Sequence, residues 1–504
     1  MAWWEAMGKV VSVGARTGAD MGEAISARAA LHAAGRGARR GFLAPGDPTP
    51  PPNATSDYLD YRGVASWRDA KPLADGQFPL GRYTNLEKGG RPAHDVGLPA
   101  EVVARHSVIV GPAGSGKTHS LIVPWIHAAL VQGWAVVALD VKGDLYEDYL
   151  RFKETSGSGA LGARLRRWDF TDPRGSTPWE WTAELRDDAR VDAAITALLG
   201  RRSDRSSTDP FFYRRDYRTL RGLLLFSRAT LPECRTAGDL LRLLERDAEL
   251  EQLVVDNPRA PGASDLLAAL RHTGEEYAKV VSGVVAALAP LDSQAVEAVT
   301  RSSAARPSLD LGQALGEHGM LIVGAPLRGG EVSATLAGLM LNQLAQRLYE
   351  RFGSRQRPVL LMIDEAPQLV DRVDLAQLME VSRSAGVGVV AAMQDVARVK
   401  DENDRSSILS NAAAFAILPG ASPTSVGEFG KRLGQRFERT AGLTMGGRAA
   451  GLPTQTFGTE AVPVLRDREI MHPPFGTRSA LIHVKAPELG VTAKPLLVDM
   501  HRDV

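Results

Sequence analysis

Short runs of consecutive apolar residues recur through most of the chain. They fall at residues 107–110, 135–139, 320–325, 359–363, 387–392, 415–418 and 481–484. Each is too short for a core helix and lacks strict apolar/polar alternation, which predicts strands buried on both faces. Helical stretches separate them, beginning with 119–130 after the first run. This alternation predicts an α/β fold with a mostly parallel sheet covered on both faces. Between 183 and 306 the strand runs stop. Residues 191–199, 213–228 and 276–288 have helical spacing instead, which predicts an inserted all-α domain.

Chemistry-bearing residues sit at the ends of these strands. The run 107–110 leads into Gly111-Pro112-Ala113-Gly114-Ser115-Gly116-Lys117-Thr118, which fits the phosphate-binding pattern G-x-x-x-x-G-K-[ST]. Its glycines let successive N–H groups curl around phosphate oxygens, and the following helix, starting at His119, adds its positive dipole end. Lys117 is expected to reach the β- and γ-phosphates and the Thr118 hydroxyl to ligate Mg²⁺. A Gly-rich turn with a chance lysine is the bland alternative, and the strand-loop-helix context argues against it. The run 359–363 closes on Asp364-Glu365. Asp364 there can hold Mg²⁺ and Glu365 can polarise an attacking water, because phosphoryl transfer asks the protein mainly for positioning and charge stabilisation. Together the two motifs predict a nucleoside triphosphatase using ATP and Mg²⁺. The run 135–139 ends at Asp140-Val141-Lys142-Gly143-Asp144, at the strand edge where open α/β sheets place ligands.

A length of 504 residues allows two to four domains, and a net charge of +1 gives no global field toward nucleic acid or membrane. Any DNA contact would come from local patches. One is the stretch 201–228, with eight arginines (201, 202, 205, 214, 215, 218, 221 and 228) against three aspartates; a solvated helix face is the commoner explanation for such a cluster. The single cysteine, Cys234, excludes an internal disulfide framework and fits a reducing, cytoplasmic setting. Residues 118–139 contain no Asp, Glu, Lys or Arg, but they include Pro124, His127, Gln132 and Gly133. A buried helix, turn and strand explain them, and no transmembrane helix or signal peptide is expected.

The expected organisation is a helical segment at 1–43, a Pro-rich linker at 44–74, nucleotide-binding parts at 75–182 and 307–504, and the all-α insertion at 183–306 between them. In the first segment Trp3, Trp4, Met7, Val10 and Val11 recur at spacings near three and four, beside an excess of basic residues. A packing arm is the commoner reading of that pattern, and docking on a membrane or partner the sharper one. Residues 442–451 are Gly-rich and expected to form a flexible loop.

With these pieces in register the chain resembles the type IV coupling proteins (TraG/TraD-like), ATPases of conjugation and type IV secretion related to the FtsK/HerA DNA translocases. The likeness runs over most of 75–500. It rests on Leu80-Gly81-Arg82, the phosphate loop, Pro124 in the next helix, the D-x-K-G-[DE] segment Asp140–Asp144, the helical insertion, an apolar strand closing on Pro326, and Asp364-Glu365. The resemblance implies a RecA-like P-loop core and two further site residues: Arg383, reaching the nucleotide of a neighbouring subunit, and Gln394, sensing the γ-phosphate. It implies a homo-hexamer, or a monomer that assembles on DNA, moving DNA or a nucleoprotein toward a secretion channel with relaxase or channel proteins as partners. Family members typically begin with membrane helices. Here attachment is expected only through a partner or the N-terminal segment, with a cytoplasmic location at the inner face of the membrane. A cytoplasmic double-stranded DNA pump and an ATP-switched cargo receptor are the alternatives.

Overall fold

The computed structural model describes residues 65, 72–85, 91–156, 163–201, 210–353, 356–444, 454–473, 479–485 and 494–500. The expected N-terminal helical segment, all but a few residues of the Pro-rich linker, Arg202, Arg205 and residues 445–451 lie outside these. The strands are β1 (Gln77–Asn85), β2 (Arg91–Pro99), β3 (Ser107–Val110), β4 (Ala135–Asp140), β5 (Arg164–Asp169), β6 (Gly319–Gly324), β7 (Val359–Ile363), β8 (Val387–Met393), β9 (Ala414–Ile417), β10 (Gln435–Thr444), β11 (Thr454–Pro463), β12 (Ser479–Val484) and β13 (Leu496–Asp499). Eleven form one sheet in the order β2-β1-β13-β12-β9-β3-β8-β7-β4-β6-β5, and β10 pairs with β11 in a separate ribbon.

From β9 to β5 every neighbouring pair is parallel. The apolar runs read as doubly buried strands supply most of this stretch, and β3, β4, β6, β7, β8 and β9 are buried at every position. The run at 481–484 also forms a strand, but β12 pairs antiparallel with β9 and β13, and β1 pairs antiparallel with β13 and β2. The sheet is therefore parallel from β9 to β5 and antiparallel at the other end. Gly81 makes the bulge in β1: its φ is +127°, and a Cβ there would meet the Asp499 carbonyl oxygen at 2.4 Å, so only glycine fits.

Two apolar clusters cover the faces. On one, Phe78 and Trp125 pack edge to face, and the Trp125 indole donates to the Pro79 carbonyl at 2.7 Å. Trp125 lies on the helix Val123–Val131, preceded by a wide turn at Thr118–Ile122. Val123 N–H reaches back to the Thr118 carbonyl, and Pro124, next in the chain, has no N–H to donate. The helix then turns into β4, which disposes of the charge-free stretch 118–139. Among the described residues no single helix is long and apolar enough to cross a membrane.

The other cluster is continuous from the sheet into the helical insertion. Between β5 and β6 the described residues contain helices and no strand: Asp188–Leu199, Pro210–Thr230, Ala237–Glu245, Asp247–Asp256, Ala263–Leu270, Glu275–Leu288 and Gln294–Thr300. Asp187, Thr236 and Ser293 cap three of them by accepting from N–H groups of the first turn. The helix Asp188–Leu199 packs on Gly330–Tyr349 beside the sheet, and the buried Arg190 pairs there with Glu184 at 3.0 Å and with Glu350. The arginine cluster of 201–228 is largely committed inside the chain. Arg201 pairs with Asp374 and Asp404, Arg215 with Asp216, Arg218 with Asp265, and Arg221 with Asp188 and Asp192, while Arg228 donates to the Leu185 carbonyl. These five arginines are held in contacts within the chain.

Candidate active site

Strand order brings the motifs together. β3, β8, β7 and β4 are consecutive and parallel, so the phosphate loop, Gln394, Asp364-Glu365 and Asp140 emerge side by side at their C-terminal ends. Backbone bonds lock the tips: Gly111 N–H donates to the Met393 carbonyl at 3.1 Å, and Asp364 N–H to the Leu139 carbonyl at 3.1 Å. Gly114 and Gly116 have φ of +73° and +89°, the left-handed values that let the loop curl.

Lys117 is buried, and its ammonium donates to the carbonyls of Gly111 and Pro112 across the mouth of the loop. Burial, and next the nearby Lys142 charge, push its pKa down to about 8, against the opposing pull of Asp364 and Glu365. His119, the first residue beyond the loop, is exposed and 3.8 Å from the Asp148 carboxylate. Asp140 is a structural anchor: its carboxylate accepts from the N–H groups of Lys142, Gly143 and Leu145 at 2.7–3.1 Å. Burial raises its pKa to about 6.

Thr118 and Asp364 converge on one point. Lys142 Nζ lies 3.2 Å from Thr118 Oγ1 and 3.3 Å from Asp364 Oδ2, and the other Asp364 oxygen is buried with no hydrogen-bond partner. A hydroxyl and a carboxylate facing a spot that already carries positive charge are a hard-oxygen donor set of the kind Mg²⁺ takes. The residues present therefore fit the cation, with Lys142 standing where it would bind. The sequence motif contained Lys142 but gave it no role.

Glu365 is 1% exposed and sits in the left-handed region at φ +59°. Gln394 Nε2 donates to its Oε2 at 3.0 Å, and Arg398 Nη1 to its Oε1 at 3.1 Å. Arg398 was invisible to motif reading, since no spacing singles out an arginine four residues beyond a strand-end glutamine.

The same fold does not bring Arg383 to this cluster. It follows the helix Leu375–Ser382, is exposed, and precedes β8 rather than ending it. The 7 residues of β8 separate it from Gln394, on the order of 20 Å at about 3.3 Å per residue. Its neighbour there is His106, at the start of β3. His106 is buried with φ +66° and accepts from the Val389 N–H at 3.0 Å. Burial above all, with the Arg383 charge acting in the same direction, pushes its pKa down to about 4.

Comparison with known proteins agrees with this architecture. The family model for type IV secretory system conjugative DNA transfer matches residues 64–436. No curated protein matches the chain by sequence. Among solved structures, the bacterial conjugative coupling protein TrwBdeltaN70 in complex with sulphate is 17% identical, with a TM-score of 0.60 over 88% of this chain and 94% of that one. TrwB in complex with the non-hydrolysable ATP analogue ADPNP is 15% identical, with a TM-score of 0.59 over 88% and 93%. TrwB with ADP and Mg²⁺ is 16% identical, with a TM-score of 0.56 over 88% and 94%. At these identities the structural likeness is one of fold. The family model is the stronger statement, since it spans nearly three quarters of the sequence, from before β1 through the phosphate loop, Asp364-Glu365 and Gln394 to the start of the β10–β11 ribbon, and the chain belongs to the type IV secretory system conjugative DNA transfer family.

Proposed function

We propose that this chain is an ATP-driven coupling ATPase that moves DNA or a nucleoprotein substrate toward a type IV secretion channel, working as a ring of identical subunits. The observation that carries the reading is the meeting of Lys117, Thr118, Asp364, Glu365 and Gln394 at the ends of adjacent parallel strands. The TrwB complexes with ADPNP and with ADP and Mg²⁺ support the same class of ligand.

In this reading the N–H groups of Gly111–Thr118 and the Lys117 ammonium bind the phosphates. Thr118 and Asp364 hold Mg²⁺, which when bound offsets phosphate charge. Glu365 orients the attacking water and accepts its proton, while Gln394 holds the Glu365 carboxylate and faces the γ-phosphate position. Arg383 is too far from its own phosphate loop to act there, so its charge-stabilising role belongs to the site of an adjacent protomer. That requirement is the reason for a ring.

The test is ATP turnover with no DNA, with single-stranded DNA and with double-stranded DNA, read beside oligomeric state. The expected result is DNA-stimulated turnover in an assembly, abolished in Lys117→Ala. Cargo binding with no DNA effect on turnover would favour the receptor alternative and overturn the motor.

A further inference from the structure

The Glu365 carboxylate is held more tightly than its proposed role allows. A group that must take a proton from water needs an oxygen free to face the substrate. Yet both oxygens accept hydrogen bonds, one from the Gln394 amide and one from a cation, Arg398. The two donors differ in how readily they can leave. Gln394 is fixed at the end of a fully buried strand, whereas the Arg398 side chain is 48% exposed and can swing into water.

We propose that Arg398 is a positioning residue that parks Glu365 in a resting state, and that hydrolysis requires this contact to open. The inference rests on Glu365 being the base. The parked position has a definable setting. Arg398 closes the short turn Val396–Arg398, directly after β8 and Gln394. Asp395, at its start, accepts from Ala397 N–H at 3.0 Å, Ser422 Oγ at 2.6 Å and Ser425 Oγ at 2.9 Å, and Val396 N–H donates to Ser425 Oγ at 3.1 Å. Ser422 caps the helix Pro423–Leu433, Ser425 lies in its first turn, and the helix leads into β10. The position of the turn, and with it the reach of Arg398, is therefore tied to the N-terminal end of that helix. A displacement of that helix end is a physical means of releasing the base.

The experiment is steady-state ATP turnover by the full chain without DNA, with kcat and KM resolved. Arg398→Ala is expected to raise kcat roughly two- to fivefold with KM unchanged, as suits loss of one half-exposed ion pair. Arg398→Lys, which keeps a cation, is expected to stay near wild type. The double variant Glu365→Gln with Arg398→Ala is expected to be as inactive as Glu365→Gln alone. Ser425→Ala loosens the turn while leaving Arg398 in place; it is expected to give a smaller rise and keeps the test open should Arg398→Ala not fold. An unchanged or reduced kcat in Arg398→Ala, or in Ser425→Ala should Arg398→Ala not fold, overturns the proposal, and a fall of about 10²-fold in Arg398→Ala would put the guanidinium on the phosphates instead. Wild-type turnover in Glu365→Gln is a separate result: it would remove the base itself, and this inference with it.

Discussion

Glu365 combines burial, a left-handed backbone and two hydrogen-bond donors, and a non-glycine residue in that conformation costs about 1–3 kcal/mol. Replacing it with glutamine keeps shape and burial while removing the basic oxygen. Glu365→Gln is therefore expected to bind ATP with near wild-type affinity and lose about 10²–10³-fold in turnover, read by nucleotide retention against phosphate release. His106 supports a different prediction. Its folded pKa of about 4 lies below the ordinary value of 6.5, so the native state holds it neutral while the unfolded chain takes up a proton. Its stabilising effect is complete above pH 6.5 and is lost as pH falls toward 4, by roughly 3 kcal/mol in all. Denaturant unfolding across that range should show the loss, and His106→Gln should flatten it. The residues legible in the sequence were those whose chemistry is encoded by local spacing: the phosphate loop and the Asp-Glu pair. Lys142 and Arg398 acquire their meaning only through side chains brought close by strand order, 24 positions away in one case and 33 in the other.

Elements followed the same rule. β3, β4, β6, β7 and β8 are buried on both faces, and continuous apolar runs announced them. β5 was missed because it is an edge strand carrying Arg164, Arg166 and Arg167, whose charges are paired with Glu317, Asp169 and Asp172. β1 and β2 were missed because glycine and proline interrupt them, the β1 bulge included. That bulge gives an element-scale prediction. Gly81→Ala forces a side chain against the Asp499 carbonyl at a backbone angle alanine resists, and should destabilise the fold by roughly 1–3 kcal/mol, seen as a lower denaturant midpoint with an unchanged slope.

At the scale of the whole molecule, one of the two apolar clusters runs through both the parallel sheet and the helical insertion. A separately produced fragment 183–306 would expose the face that Asp188–Leu199 presents to Gly330–Tyr349. It is expected to aggregate or to melt without cooperativity, as followed by circular dichroism. The sequence marked where the helices lie but not that they share a core with the sheet, because periodicity reports which residues are apolar and not what they face. At the scale of the assembly, chains carrying Lys117→Ala mixed with chains carrying Arg383→Ala should regain ATP turnover at some mixed interfaces; no recovery at any ratio would refute action in trans. In the proposed ring, β8 would join two sites. If Arg383 serves a neighbour while Gln394 serves its own subunit, a single seven-residue strand is the shaft between two combustion chambers. In that arrangement a tilt at one end of a strand buried at every position would be delivered at the other with little slack.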